Sequence, residues 1–385
     1  MVRCCSNAAR LRTILDMSTS PFFPSHIHGL RPHVPAPTLP ALARELGLAP
    51  GRFAQLHNNE NPLGASPRAL QALAAAQIDA SRYPDSDCTL LSQALADHHG
   101  VPQEWIAVAS GSETVIGYAV TAVLGGGGRR AAFSRYSFQS FAASMQRVGA
   151  TPITVPSPDF TVNLQGLRAA LDQAPHMVYI VNPGNPTGTC VDPAALHAFL
   201  RAVPSHVVVL LDEAYVDFLP PALRPDSIAW VREFPNLLLT RTFSKAHGLA
   251  GLRVGYAIAQ PALADMLRRV RAPFSVGEAG QLAAVAALQD TAFLERTVAH
   301  NSAQRQRLVA GLEALGIRCL PSHTNFVLAQ VGDGAAWAQR LQARGLLLRP
   351  VSGYGLPEWL RIGIGTEEDT QRLLAAFAAE TAPAR

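Results

Sequence analysis

Two hydroxyls, an amine and a guanidinium lie close together in Thr242-Phe243-Ser244-Lys245-Ala246-His247-Gly248-Leu249-Ala250-Gly251-Leu252-Arg253. Lys245 is also the chain's single lysine, the 32 basic residues being 31 arginines and this one. Arginine replaces lysine at most surface charges, but it stays protonated near neutrality and forms no imine. One lysine left among arginines points to a position that needs an amine. An amine joins an aldehyde, while hydroxyls and a guanidinium hold a phosphate on the same molecule. An aldehyde that carries a phosphate describes pyridoxal phosphate. A Gly-rich surface loop with an incidental lysine is the plainer alternative.

Four more segments carry candidate chemistry. In Leu210-Leu211-Asp212-Glu213-Ala214-Tyr215 a buried strand ends in a carboxylate, and ligands of open α/β sheets bind beyond such strand ends. Asp212 there can pair with a protonated pyridine nitrogen and keep the ring an electron sink, with Tyr215 on the ring's phenolic oxygen. A helix-capping aspartate reads equally well from this segment alone. Asn182-Pro183-Gly184-Asn185-Pro186-Thr187-Gly188 makes a rigid turn that presents the Asn185 amide. Ser110-Gly111-Ser112-Glu113-Thr114 joins a strand to an amphipathic helix, whose free amides and dipole form an anion site or a simple cap. Near the end stand Arg349 and Arg361. The second lies in an apolar strand, where an unpaired guanidinium is costly, so it calls for a structural carboxylate or an anionic substrate.

The elements that must position these residues follow from periodicity. Short apolar runs at 106–109, 131–134, 151–155, 177–181, 207–211, 237–241 and 254–259 alternate with amphipathic stretches such as 112–124, 137–148 and 193–202. That alternation predicts an α/β fold with βαβ crossovers and a mostly parallel, doubly covered sheet. Residues 277–313 are helical in period, 317–365 give short strands and one helix, and a helix closes the chain at 367–380. Six prolines between Pro21 and Pro40 mark 18–40 as an extended arm. The expected divisions are a tail and arm over 1–55, a large α/β domain over 56–276, and a smaller α+β domain over 277–385.

Composition excludes several classes. The chain has 385 residues and a mean hydropathy of +0.13, with no apolar run near the ~18 residues of a membrane span. Its net charge of +4 is spread along the chain, so nucleic-acid binding has no compositional support. Five scattered cysteines without Cys-x-x-Cys spacing argue against a disulfide framework or a metal site and fit a reducing, cytoplasmic compartment. Residues 1–16 are Arg-rich but lack the apolar stretch of a secretory signal. They read as a disordered tail, an organelle-type leader or an over-extended start with initiation at Met17, the last being favoured.

Taken in order, these motifs resemble the class I/II aminotransferases of fold type I, which depend on pyridoxal phosphate. The likeness spans about residues 35–380 and is most specific at Ser244-Lys245…Arg253. Within the family the sequence is most similar to the histidinol-phosphate aminotransferases, through Asn59-Glu60-Asn61-Pro62-Leu63-Gly64, Arg82-Tyr83-Pro84-Asp85 and Gly353-Tyr354-Gly355-Leu356-Pro357 ahead of Arg361. The resemblance implies that Lys245 binds the cofactor aldehyde and shuttles a proton between the substrate Cα and C4′. Asp212 would pair with the ring nitrogen, Asn185 and Tyr215 with the ring oxygen, and Tyr136 would stack on the ring. Gly111, Ser112, Ser244 and Arg253 would hold the phosphate, with Glu113 and Thr242 beside them among the cofactor contacts. Tyr83 would reach the cofactor of a neighbouring subunit, which implies a homodimer. Asn61, Arg349 and Arg361 would bind substrate, Arg349 its phosphate and Arg361 its carboxylate. The implied partners are small molecules, a phosphorylated amine and a 2-oxo acid, in the transamination step of histidine biosynthesis. Glu113, Gly184 and His247 depart from the usual pattern of Asp, Asn and Phe. The alternatives are an aminotransferase for aromatic or other amino acids, a lyase like threonine-phosphate decarboxylase, and a cofactor-sensing regulator. Against the last, the first ~55 residues show no helix-turn-helix pattern.

Overall fold

Alternate residues of one strand reach opposite sides of the central sheet, and both sides are apolar. Met177, Tyr179 and Val181 pack into one hydrophobic layer, Val178 and Ile180 into the other, as a strand covered on both faces requires. The computed structural model describes residues 23–30 and 37–381; the readings of residues 1–16 and of Met17 lie outside them.

The strands in chain order are β1 (Ala54–Gln55), β2 (Ile106–Ala109), β3 (Arg130–Ser134), β4 (Thr151–Val155), β5 (Met177–Val181), β6 (Val208–Asp212), β7 (Leu237–Thr242), β8 (Gly255–Ala259), β9 (Phe326–Gln330), β10 (Leu346–Leu347), β11 (Arg349–Val351) and β12 (Leu356–Gly363). Seven form the central sheet in the order β2-β8-β7-β6-β5-β3-β4. Only β8 runs against its neighbours, antiparallel to both β2 and β7. The carboxyl ends of β2, β5, β6 and β7 therefore share one edge, and the four chemistry-bearing loops emerge there together. Each expected run became a strand, with ends shifted by at most two residues, and the helices Ser112–Leu124 and Pro193–Ala202 match the expected bounds. Aspartate caps fix several helix starts: Asp192 accepts from the Ala195 N–H at 2.9 Å and Asp226 from that of Ala229 at 3.2 Å. The helix Ser112–Leu124 begins instead at Gly111, which has no side chain to cap it.

The smaller unit holds an antiparallel sheet β11-β12-β9 and the parallel pair β1-β10. The 24-residue helix Thr291–Ala314 and the helices Gly334–Gln342 and Glu367–Thr381 pack around them. Packing crosses both expected divisions. The helix Glu278–Leu288 sends Ala283, Ala284 and Ala287 into the core of the large sheet, whereas Ala54 and Leu56 join the core of the smaller unit. Apolar periodicity reveals that a helix is buried, not which of two cores it joins. Nor is 18–40 extended throughout: Ser25–His28 is one helical turn, and Leu39–Leu46 is a helix with Thr38 as cap. Pro40, which suggested a break, sits in that helix's first turn, where no N–H is needed.

Two loops meet at Gly248, whose φ is +71° and whose missing Cβ leaves room for the backbone of Gly64 and Ala65. Gly248→Ala therefore strains the backbone and drives the lysine loop away from the loop at 57–65. The expected cost is about 2–3 kcal/mol, read as a lower urea midpoint. An unchanged midpoint refutes the close approach.

Candidate active site

The shared sheet edge, the loop at 57–61 and the β11–β12 hairpin enclose a cavity of about 580 Å³. Eleven of the expected site residues line it: Ser112, Glu113, Asn185, Asp212, Tyr215, Thr242, Ser244, Lys245, Arg253, Arg349 and Arg361. Their convergence follows from topology, because parallel strands deliver their following loops to one side.

Lys245 follows β7 by three residues, and its Nζ donates to the carbonyl oxygens of Asn58 at 3.0 Å and Asn59 at 3.2 Å. Burial, with the positive charge of Arg361 and Arg253 outweighing the nearby Glu60, lowers its pKa from 10.5 to about 8. On the same side, the Thr242 hydroxyl accepts from the Ser244 N–H at 3.1 Å and the Ser244 hydroxyl accepts from Arg253 Nη1 at 3.3 Å. Gly111 does not line the cavity; it makes room for Arg253, whose Nη2 stands 2.6 Å from where a Cβ would sit. The result is a cradle of two hydroxyls, a guanidinium and a helix start without a side-chain cap, all suited to a phosphate.

At the end of β6, Asp212 is almost wholly buried. Its Oδ2 accepts from the Tyr179 hydroxyl at 2.8 Å and its Oδ1 from the Ala214 N–H at 3.1 Å. Burial pushes its pKa up to about 6, against the pull of those two bonds. The Tyr215 hydroxyl accepts from Asn59 Nδ2 at 3.0 Å and from Asn185 Nδ2 at 3.4 Å, and burial raises its pKa to about 12. It remains a neutral hydroxyl able to donate into the cavity.

The two arginines are direct cross-strand partners, Arg349 opposite Arg361, an arrangement of like charges that destabilises a bare sheet. Arg361 is 8% exposed. Its Nη1 donates to Asn185 Oδ1 at 2.7 Å and its Nη2 to the His57 carbonyl at 2.9 Å, while its Nε is buried without a partner. Arg349 donates through Nη2 to Asn58 Oδ1 at 2.9 Å and through Nε to the His57 carbonyl at 3.4 Å. Among the described residues neither forms an ion pair, and the structural carboxylate that Arg361 called for is not there. Burial, then the two arginines, pushes the His57 pKa down to about 4, so this ring stays neutral.

Four of the expected residues make other contacts within this chain. Tyr136 is half-buried, its ring stacked on Phe160 at 5.4 Å and packed against the cluster around Trp359, and Phe138 joins Tyr215 among the aromatics that line the cavity. Asn61 is a tie within the protein, donating to the Ala246 carbonyl at 3.0 Å and Thr297 Oγ1 at 3.2 Å, while Asn58, Asn59 and Glu60 line the cavity instead. The Glu113 carboxylate accepts from Ser140 at 2.8 Å, and a carboxylate offers a phosphate no donor. Tyr83 lies away from this chain's cavity, 81% exposed and stacked on Phe274 at 4.6 Å. Tyr179, His57 and Asn58 were missed. Tyr179 read as one more apolar strand residue, and His57 acts through a backbone carbonyl that no side chain announces.

Comparison with known proteins agrees with this geometry. The family model "Aminotransferase class I and II" matches residues 52–377. Histidinol-phosphate aminotransferase 1 of Cupriavidus pinatubonensis is 44% identical over 361 residues, 93% of this chain and 96% of that protein. The corresponding protein of Thiobacillus denitrificans is 45% identical over 354 residues, 92% of each chain. Among solved structures, histidinol-phosphate aminotransferase from Sinorhizobium meliloti in complex with pyridoxal-5'-phosphate aligns with a TM-score of 0.83 and 30% identity, covering 95% of this chain and 99% of that one. Aspartate aminotransferase from Thermus thermophilus, 20% identical with a TM-score of 0.79 over 93% of this chain and 99% of that one, shares the fold. With its lysine, buried carboxylate and phosphate cradle on one edge of a mostly parallel sheet, the chain belongs to the class I and II aminotransferase family and has the type I fold.

Proposed function

We propose that this enzyme moves an amino group between L-histidinol phosphate and 2-oxoglutarate, giving imidazole-acetol phosphate and glutamate in histidine biosynthesis, with pyridoxal phosphate as cofactor. The observation that carries the substrate is the Arg349–Arg361 pair. Two guanidiniums face one cavity from opposed positions of one hairpin, with neutral acceptors in place of carboxylates. A substrate phosphate on Arg349 and an oxo-acid carboxylate on Arg361 satisfy both charges in turn.

The residues present fit the cofactor: an amine of lowered pKa, a buried carboxylate, and a cradle whose guanidinium a Cβ on Gly111 would displace. When bound, pyridoxal phosphate supplies an aldehyde for covalent attachment and a ring that withdraws electrons from the substrate Cα. Lys245 would hold the cofactor's aldehyde, and its amine would carry a proton between the substrate Cα and the neighbouring carbon. Tethering at the reacting carbon supplies much of the rate. Asp212 would face the ring nitrogen with its negative charge, and Tyr215, held by Asn59 and Asn185, would donate to the ring oxygen. Ser112, Thr242, Ser244 and Arg253 would hold the phosphate. We infer a homodimer in which Tyr83 reaches the other subunit's site. Leu63, Leu70, Ile78, Tyr83, Leu90 and Phe274 are exposed large apolar groups, Tyr83 and Phe274 stacked on each other, and a second copy would bury such groups. A cytoplasmic site of action fits the free thiols of Cys88, Cys190 and Cys319.

Mixing cofactor-loaded protein with L-histidinol phosphate alone, without oxo acid, should discharge the yellow absorbance rapidly, with little response to phenylalanine. Discharge by phenylalanine alone would change the substrate, and release of carbon dioxide from a phosphorylated amino acid would make the enzyme a lyase. Lys245→Ala should abolish both the yellow form and turnover, and measurable turnover in that variant removes Lys245 from the chemistry. Arg349→Ala should raise KM for L-histidinol phosphate about 10- to 100-fold, the worth of a charge-assisted contact, with little change for glutamate. Equal losses for both would make Arg349 a structural residue. In the cofactor-free protein the neutral amine fraction of Lys245 rises with pH through its folded pKa of about 8. Acylation at this residue, followed by mass spectrometry, should therefore show a midpoint near that pH; a midpoint above about 10, the value of a free lysine, refutes the shift.

A further inference from the structure

We propose that Tyr179 is a positioning residue: its hydroxyl fixes the rotation of the Asp212 carboxylate toward the cavity. The inference rests on the reading that the cavity takes pyridoxal phosphate.

Tyr179 is the single polar residue of Met177–Val181, and it is wholly buried. β5 and β6 are parallel neighbours in which Tyr179 pairs with Leu210 and Val181 with Asp212. The tyrosine thus enters the sheet two residues before the edge, on the face that carries Leu210. Its length brings the hydroxyl 2.8 Å from Asp212 Oδ2. The ring is set by a stack on Phe141, with centroids 4.2 Å apart and planes 13° from parallel. Ring packing and strand pairing together place the hydroxyl before Asp212 is considered.

Packing needs only the ring. A phenylalanine or leucine would fill this layer without a polar atom that must be satisfied. What the hydroxyl adds is a second tether on the carboxylate, because Oδ1 is already held by the Ala214 N–H at 3.1 Å. One donor on each oxygen fixes the carboxylate plane, and the remaining lone pairs are directed to the cavity that Asp212 lines. Charge-assisted bonds of this kind are the stronger ones. The other ionisable groups acting on Asp212 or its neighbours are Glu213, the first residue after β6, Tyr215 beyond it, and Tyr354, which is near enough to act on both Tyr179 and Tyr215. None of these offers Asp212 a positive charge, so the Tyr179 hydroxyl and the Ala214 amide are what hold the carboxylate against burial and Glu213.

The test uses the full chain with Tyr179→Phe, which keeps the ring and its stack on Phe141. Far-UV circular dichroism should match the parent. The Kd for pyridoxal phosphate, read by absorbance on the stripped protein, should weaken about tenfold. On acidification the variant should release cofactor at a higher pH than the parent, because Asp212 protonates sooner without its donor. In an Asp212→Asn background the same substitution should change the Kd by less than about twofold, since coupled residues do not add. An unchanged Kd and release pH in Tyr179→Phe, or a tenfold loss that persists with Asp212→Asn, overturns the proposal. A parent protein that takes up no pyridoxal phosphate overturns the reading beneath it as well.

Discussion

Three consecutive backbone carbonyls hold three of the four cations of this site. The His57 oxygen accepts from Arg361 and Arg349, and those of Asn58 and Asn59 accept from Lys245. Neutral dipoles can orient a cation without cancelling its charge, which a carboxylate in the same place would do. Each guanidinium or amine is thereby fixed in direction and still charged, or chargeable, toward the cavity. The cost is a cluster of positive groups with incomplete compensation, and an anionic ligand relieves it.

That segment can do this because it belongs to both halves of the molecule. Just before it, the Leu56 N–H donates to Leu347 at 2.9 Å and the Leu56 carbonyl accepts from Gly363 at 2.7 Å, so the chain is fixed beside the β11–β12 hairpin. Just after it, Asn59 bonds Tyr215 and Asn61 bonds the carbonyl of Ala246, at the edge of the large sheet. The arginines of one unit and the lysine of the other are thus referred to a single stretch of backbone. The same crowding sets the protonation states. Burial, then positive neighbours, brings Lys245 down to about 8, while burial brings Asp212 up to about 6.

Much of this was legible in the sequence because a parallel sheet turns linear order into proximity. Motifs that follow apolar runs must share an edge, so Ser112, Asn185, Asp212 and Lys245 could be grouped before any coordinates existed. Side-chain identity is weaker wherever a residue could face either of two directions. Tyr136 and Phe138 are two positions apart in one turn and both half-buried, Tyr136 against Phe160 and the Trp359 cluster and Phe138 against the core of the large sheet. Asn61 and Asn59 pose the same problem, resolved by a positive φ at Asn59 that turns the intervening backbone. Tyr179 was hidden because a fully buried strand is read by its apolar residues, and a tyrosine passes as one. The unit boundaries were illegible for a different reason: a helix declares its apolar face, not the partner that covers it.

The scarcity of lysine fits the chemistry of the cavity. Its other cations are the guanidiniums of Arg253, Arg349 and Arg361, which remain protonated and do not condense with an aldehyde. A lysine at any of these three positions would place a second amine within the same 580 Å³, competing for the cofactor's one reactive carbon. Building the anion contacts from arginine separates the two tasks that positive residues perform here. Guanidiniums bind charge in a fixed plane, and the single amine is left for the covalent bond proposed above. The 31-to-one ratio of the chain extends to its surface and needs no such explanation there. At the cavity it leaves Lys245 as the one side-chain amine the aldehyde can meet.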